Sequence, residues 1–260
     1  MSEVISRAWV RGVPDTFDQA ITMSDRGPRP DVARARRQHD DYVSRLESSG
    51  LNVTRISEDE RYPDCVFIED TAVLLGSLLV ATRPGAVDRR GEVEPVMAVM
   101  ADHFESTSIE PPGTLDGGDV VIMGDRVYVG RSARTNDAGI DQLGVIASAM
   151  GMVVVPVPVD GVLHLKSAVL PVDAETVVIT PGTVDEGLFD GLRVIHEAAG
   201  EHHRFSALPL TDRVLVTMGA PATAAELEAL GLTIDPIDVS EILAADGGLT
   251  CLSIIASGAR

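Results

Sequence analysis

A short pattern recurs along the chain and restricts its fold more than any other feature. Ile68-Glu69-Asp70-Thr71-Ala72-Val73-Leu74-Leu75 passes through a Gly-Ser turn into Leu78-Leu79-Val80-Ala81. Asp116-Gly117-Gly118-Asp119-Val120-Val121-Ile122-Met123 passes through Gly124-Asp125 into Val127-Tyr128-Val129, and His164-Leu165-Lys166-Ser167-Ala168-Val169-Leu170-Pro171 through Val172-Asp173 into Val177-Val178-Ile179. Each is a polar lead-in, a β-rich run, a turn and a second β-rich run. Asp70, Asp119 and Ser167 hold matching places, 49 and 48 residues apart. Arg213–Val216 is a weaker fourth copy. Cys251-Leu252-Ser253-Ile254-Ile255 starts a fifth, whose partner strand is expected at Val4–Val10.

Amphipathic helical patterns fill the intervals. Asp31 caps Val32–Ser49, with Val32, His39, Val43 and Leu46 on one face and Gly50 as the stop. Glu92–Phe104 tolerates Pro95 only in its first turn. Asn136 caps a helix running through Ile140, Leu143, Ala147 and Met150 to Gly151; Val184–Ala199 and Ala224–Leu230 follow the same scheme. The outcome is strand–strand–helix–strand, five times in 260 residues. Units of this kind closing around an axis would gather their lead-ins at one end, bringing Glu69, Asp70, Asp116, Asp119, His164 and Cys251 together. The bland alternative is an ordinary mixed α/β domain in which they are scattered.

A hydrophobic content of 45% and a mean hydropathy of +0.15 supply a large core, and one domain over 1–260 is expected. The net charge of −19 argues against nucleic acid and anionic membrane as partners. It serves solubility, and secondarily a field that attracts cations. Two cysteines make no disulfide framework, the N-terminus lacks the apolar run of a signal peptide, and no apolar stretch reaches the roughly 18 residues needed to span a bilayer. A cytoplasmic location is expected.

A thiolate is the leading nucleophile available. Cys251 lies in Asp246-Gly247-Gly248-Leu249-Thr250-Cys251-Leu252-Ser253; a lone Cys is otherwise a small buried hydrophobe. His164 follows the turn at Asp160-Gly161 and is expected to start a strand, either as an acid/base group or as a half-buried structural residue. His39, His103 and His196 fall in helical patterns and read as surface. His202-His203 has no carboxylate or Cys at ligand spacing, so no metal is expected. No dinucleotide fingerprint, nucleophile elbow or P-loop occurs, and no cofactor is implied. A thiolate, a His and several carboxylates suit a guanidinium or amidinium. Its planar fork takes bidentate carboxylate contacts, and the His can protonate the leaving group and then accept a proton from water.

Six runs in order, Pro63–Asp70, Thr82–Ala86, Leu115–Val120, Val129–Asn136, Leu163–Ser167 and Asp246–Cys251, span nearly the whole chain and resemble the motif set of the dimethylarginine dimethylaminohydrolase family. The resemblance implies a five-bladed α/β propeller of ββαβ modules with pseudo-fivefold symmetry. It implies hydrolysis of Nω-methylated arginine to citrulline without metal or cofactor. Cys251 is then the nucleophile, His164 the acid/base and Asp116 the carboxylate that orients His164. Glu69 and Asp70 engage the guanidinium, and Asp246 contacts the reacting guanidine. Arg89 and Arg134 hold the substrate carboxylate, with Arg90 as the alternative to Arg89. Asp64 meets the α-amino group, Phe67 joins the substrate contacts, and the backbone of Ile21, in a lid at Asp18–Asp25, closes over the substrate. The implied partner is a small guanidino amino acid, and the protein a monomer or homodimer. Two alternatives remain: an arginine deiminase with the same parts, and a non-catalytic propeller of the kind found in a ribosome-binding initiation factor.

Overall fold

The repeat folds as five three-stranded sheets in a computed structural model that describes residues 5–22, 29–201 and 204–257. In chain order, β1 (Ile5–Arg11), α1 (Val32–Ser48) and β2 (Asn52–Ile56) come first. Then follow β3 (Ala72–Leu75), β4 (Leu78–Ala81), α2 (Val93–Met100) and β5 (Glu105–Ser108). β6 (Val120–Met123), β7 (Arg126–Arg131), α3 (Asp137–Ala149) and β8 (Val153–Pro158) repeat the arrangement, and β9 (Val169–Pro171), β10 (Thr176–Ile179) and β11 (Arg193–His196) form the next sheet. β12 (Ala207–Pro209), β13 (Val214–Thr217), α4 (Pro221–Ala229) and β14 (Ile234–Ile237) precede α5 (Ser240–Ala244) and β15 (Ser253–Ser257).

One topology recurs in the modules that carry a helix. The first two strands pair antiparallel across a tight turn, as Val73 with Val80 and Val121 with Tyr128. The third returns parallel to the second after a helix, as Val80 with Thr107 and Tyr128 with Val155. A parallel return needs such a crossover, which is why strand and helical periods alternate in the sequence. The two ends of the chain share a sheet: β15 pairs antiparallel with β1, Trp9 opposite Ile254, and β1 pairs parallel with β2. The fifth copy therefore finds its partner where expected, although Val4 lies outside the described residues.

The chain divides into two compact units, Glu69–Ile195 and Met1–Ile68 with His196–Arg260. In the second, Tyr42, Val43 and Leu46 of α1 pack with Phe17, Phe67, Leu249 and Leu252. Burial of each large apolar side chain there stabilises the fold by about 1.5–3 kcal/mol. The Asp31 side chain accepts from Arg34 N at the start of α1, and Asn136 from Gly139 N at the start of α3. Each cap contributes about 1 kcal/mol.

Four local expectations need correction. Val184–Ala199 is not a helix: a 3-10 turn at Glu186–Phe189 leads into strand β11. Gly187 and Gly191 weaken helix by about 1 kcal/mol each, and Gly191 takes a left-handed backbone, φ 96°. Its apolar residues pack all the same, Phe189 stacking on Tyr128 with centroids 4.7 Å apart. His196 is accordingly in a strand, and His39, far from being surface, is buried. α2 stops at Met100, short of Phe104. His202-His203 lies outside the described residues. Among the described residues no helix is long and apolar enough to cross a membrane.

Candidate active site

Each strand pair is entered through a one-turn 3-10 segment or bend, and in three of them a polar residue ties down the next lead-in. Asp70 Oδ1 accepts Gly118 N at 2.9 Å, Asp119 Oδ1 accepts Leu165 N at 2.9 Å, and Ser206 Oγ accepts Leu249 N at 2.9 Å. The matching places are thus Asp70, Asp119, Ser167, Ser206 and Cys251, one or two residues ahead of β3, β6, β9, β12 and β15. Arg213–Val216 is the second strand of the fourth module rather than its lead-in. His164 does not start a strand either; it precedes the 3-10 turn Leu165–Ser167.

In the unit Glu69–Ile195, His164 is 5% exposed and Asp116 0%. His164 Nε2 lies 3.0 Å from Asp116 Oδ2 and 4.0 Å from Asp70 Oδ1. Asp116 Oδ1 accepts Gly85 N at 2.8 Å, and Asp116 N donates to Thr135 Oγ1 at 3.2 Å. Burial works against an imidazolium here, but the Asp70 charge, the Asp116 hydrogen bond and the Asp119 charge outweigh it and push His164 up to about 9. Asp70 is opposed by burial yet held down at about 2 by His164, Arg89 and the Gly118 N–H. Burial raises Asp119, which accepts from Ser132 Oγ and Thr135 Oγ1, each at 2.6 Å. Gly118 is required beneath the ring, since a Cβ there would stand 2.8 Å from His164 Nδ1 and 2.9 Å from Asp70 Oδ1.

Glu69 and the arginines are placed in the same unit. Glu69 Oε1 binds Lys166 Nζ at 2.5 Å, and Lys166 Nζ also donates to Gly117 O at 3.3 Å. Arg89 is buried between two carboxylates: Nη1 donates to Asp70 Oδ2 at 2.6 Å, and Nε and Nη2 donate to Glu92. Its guanidinium is committed to the protein. Arg90 Nε donates to Pro84 O at 3.0 Å. Arg134 is different: its buried Nη1 meets no hydrogen-bond partner among the described residues. A buried cationic donor left bare is costly, and a carboxylate is its natural partner. Donor atoms of Asp70, Asp116 and His164 lie within 4.8 Å of one another, close enough for a metal. However, Asp70 is neutralised by Arg89, and Asp116 is bonded to the imidazole.

The other candidates belong to the second unit. Cys251, half-buried, has its Sγ 3.4 Å from Gly248 N, so the backbone N–H points at the sulfur. The turn before it is tightly built. A Cβ on Gly247 would meet Phe67 Cε1 at 2.3 Å, and one on Gly248 would meet Ser206 Oγ at 2.7 Å. Asp246 has φ 58°, among the described residues the one non-glycine with positive φ. Asp bears that left-handed conformation better than most residues. Both carboxylate oxygens of Asp64 accept Ile21 N, at 3.1 and 3.2 Å; residues 23–28 lie outside the described residues. Cys65 is fully buried against the Asp59 backbone. The sequence pattern gathers Asp119 with the other lead-ins without giving it a role, and gives none to Lys166 or Ser206. Lys166 lies inside the Leu163–Ser167 run, and its pairing with Glu69 is not visible in the spacing.

The chain has well-defined relatives. A model of the family described as N,N dimethylarginine dimethylhydrolase, eukaryotic, matches residues 15–188. The N(G),N(G)-dimethylarginine dimethylaminohydrolase of Pseudomonas aeruginosa is 32% identical over 253 residues, 96% of this chain and 98% of the relative. That of Streptomyces coelicolor is 39% identical over 246 residues, 94% of each. A solved Cys-to-Ser mutant of the Pseudomonas aeruginosa enzyme complexed with citrulline superposes with a TM-score of 0.93 at 30% identity, over 97% of this chain and 99% of that one. A dimethylarginine dimethylaminohydrolase His-to-Gly variant, an adduct with S-methyl-L-thiocitrulline, gives 0.93 at 30% over 97% and 100%. These likenesses define an α/β enzyme of the class that hydrolyses guanidines. The chain belongs to the dimethylarginine dimethylaminohydrolase family.

Proposed function

We propose that the protein hydrolyses Nω-methylated L-arginine to L-citrulline and dimethylamine or methylamine, as a single cytoplasmic catalytic domain whose five modules close into a propeller. The observation that carries the reading is the buried His164, hydrogen-bonded to Asp116 and pushed up to about 9 by the carboxylates around it. Cys251 thiolate attacks the guanidinium carbon. His164, protonated at neutral pH, gives its proton to the departing amine, leaving a thiouronium on sulfur. Neutral His164 then takes a proton from water as its oxygen attacks the same carbon, and the C–S bond breaks to return the thiolate and release citrulline. Asp116 fixes the ring, and no cofactor enters any step.

Glu69, Asp70 and Asp246 engage the guanidinium, Asp64 and the Ile21 backbone the α-amino end, and Phe67 the substrate's flank. Arg134 takes the α-carboxylate; the bare Nη1 supports it, whereas Arg89 serves chiefly to hold Asp70 and Glu92. A dimethylated nitrogen has no N–H, so a carboxylate built around it would be left buried and unpaired. The leaving nitrogen is therefore assigned to backbone and apolar groups near Leu163 and Gly247–Leu249. Citrulline formation from dimethylarginine, monomethylarginine and arginine, measured side by side, tests this. A methylated substrate should exceed arginine in kcat/KM by about tenfold or more, roughly 1.4 kcal/mol. A preference for arginine would replace the reading with that of a deiminase.

A further inference from the structure

Asp119 is fully buried and has no part in the reaction proposed above. Its counterpart one repeat earlier, Asp70, accepts Gly118 N and is paired with Arg89. Asp119 makes the equivalent backbone contact, Leu165 N on Oδ1 at 2.9 Å. Its Oδ2 takes two hydroxyls instead of a cation, Ser132 Oγ and Thr135 Oγ1, each at 2.6 Å. Burial works against a carboxylate in this place and pushes its pKa up, so it is a costly way to hold a loop together. The fit is close as well: a Cβ on Gly130 of β7 would meet Asp119 Oδ1 at 2.5 Å.

Each of the three contacts ends beside a residue of the site. Leu165 N belongs to the peptide that follows His164. Thr135 Oγ1 donates to Asp119 and accepts Asp116 N at 3.2 Å. Ser132 Oγ donates to Asp119 and accepts Arg134 N at 3.0 Å and Thr135 N at 3.2 Å, so it fixes the backbone that carries Arg134. Both hydroxyls face backbone N–H groups with their lone pairs, which leaves each one proton for the carboxylate. An amide in place of that carboxylate has a single acceptor oxygen and cannot serve the Leu165 N–H and the two hydroxyls together. We infer that Asp119 is a positioning residue that sets Arg134 and His164 relative to each other, acting on Arg134 through Ser132 and on His164 through the Leu165 N–H. The inference rests on the reading of Arg134 as the group that takes the substrate carboxylate and of His164 as the acid/base. One buried carboxylate then holds both ends of the substrate's path in register.

A mutant cycle in steady-state kinetics tests this, using the full chain and whichever guanidino acid it turns over fastest. Ser132→Ala should raise KM by about fivefold or more and leave kcat within about twofold. Made in Arg134→Ala, the same change should alter KM by less than about twofold, because the group it positions is gone. Asp119→Asn should raise KM and also lower kcat by about tenfold or more, since it loosens both ends. An unchanged KM in Ser132→Ala, an equal rise in both backgrounds, or a native kcat in Asp119→Asn would overturn the proposal. Should Asp119→Asn fail to fold, the Ser132 cycle still decides, because Ser132→Ala leaves the Thr135 and Leu165 contacts of Asp119 in place. An Arg134→Ala variant with native KM would instead refute the assignment of Arg134, a result read from that single variant and distinct from failure of the cycle.

Discussion

Asp116→Asn tests the electrostatics of the acid/base group. Asn keeps an oxygen for Gly85 N but places an uncharged amide against His164 Nε2, where a carboxylate oxygen now lies at 3.0 Å. A hydrogen bond to a charged partner contributes about 1.5–3 kcal/mol, or about 1–2 pH units. His164 should therefore fall from about 9 to about 7–8, with Asp70 still holding it above the ordinary 6.5. The sign for stability follows. A folded pKa raised from 6.5 to about 9 contributes stability that is fully present below pH 6.5 and lost as pH rises through 9. That loss is about 3 kcal/mol in the native sequence, and the variant should lose about 1.5–3 kcal/mol less over the same window. The assay is a ring titration of His164 by NMR, paired with urea unfolding at the two ends of the window. An unchanged or higher His164 pKa in Asp116→Asn would refute the reasoning. So would a native stability that rises between pH 6.5 and 9.

Two further outcomes separate structure from binding. Arg134→Ala should raise KM with little change in kcat, because its bare Nη1 is assigned to a substrate group remote from the reacting carbon; Arg89→Met should instead lower unfolding stability by about 3–5 kcal/mol, leaving Asp70 and Glu92 buried without their cation. Gly118→Ala should keep the fold's circular dichroism but reduce kcat sharply, since the added methyl would push His164 or Asp70 aside; full activity would show that the ring has slack.

Much of the fold was legible because strand and helix periods alternate cleanly: the hairpins at Ala72–Ala81 and Val120–Arg131, the Asp31 and Asn136 caps, and the pairing of the two chain ends are all where the pattern put them. The misreadings have physical causes. The apolar spacing in Val184–Ala199 is real, but two glycines and the pair Val194-Ile195 favour a sheet edge. The fourth lead-in escaped notice because β12 is three residues long and ends at Pro209, so Ser206 has little β-rich sequence behind it. His39 looked like surface because it sits in the polar run Arg36-Arg37-Gln38-His39-Asp40-Asp41, yet its side chain is buried. In the site, the carboxylates and His164 were readable as residue types in matching lead-ins. Which arginine is already bonded within the protein was not, since that depends on Glu92, three residues from Arg89 and silent in the pattern.

The central claim is that Cys251 becomes covalently bonded to the substrate carbon. Rapid acid quenching during turnover of dimethylarginine, followed by peptide mass spectrometry, tests it most directly. The account expects an adduct of substrate less dimethylamine on the peptide containing Cys251, absent in Cys251→Ser together with citrulline formation. An adduct on Cys65, or undiminished citrulline production by Cys251→Ser, would contradict it.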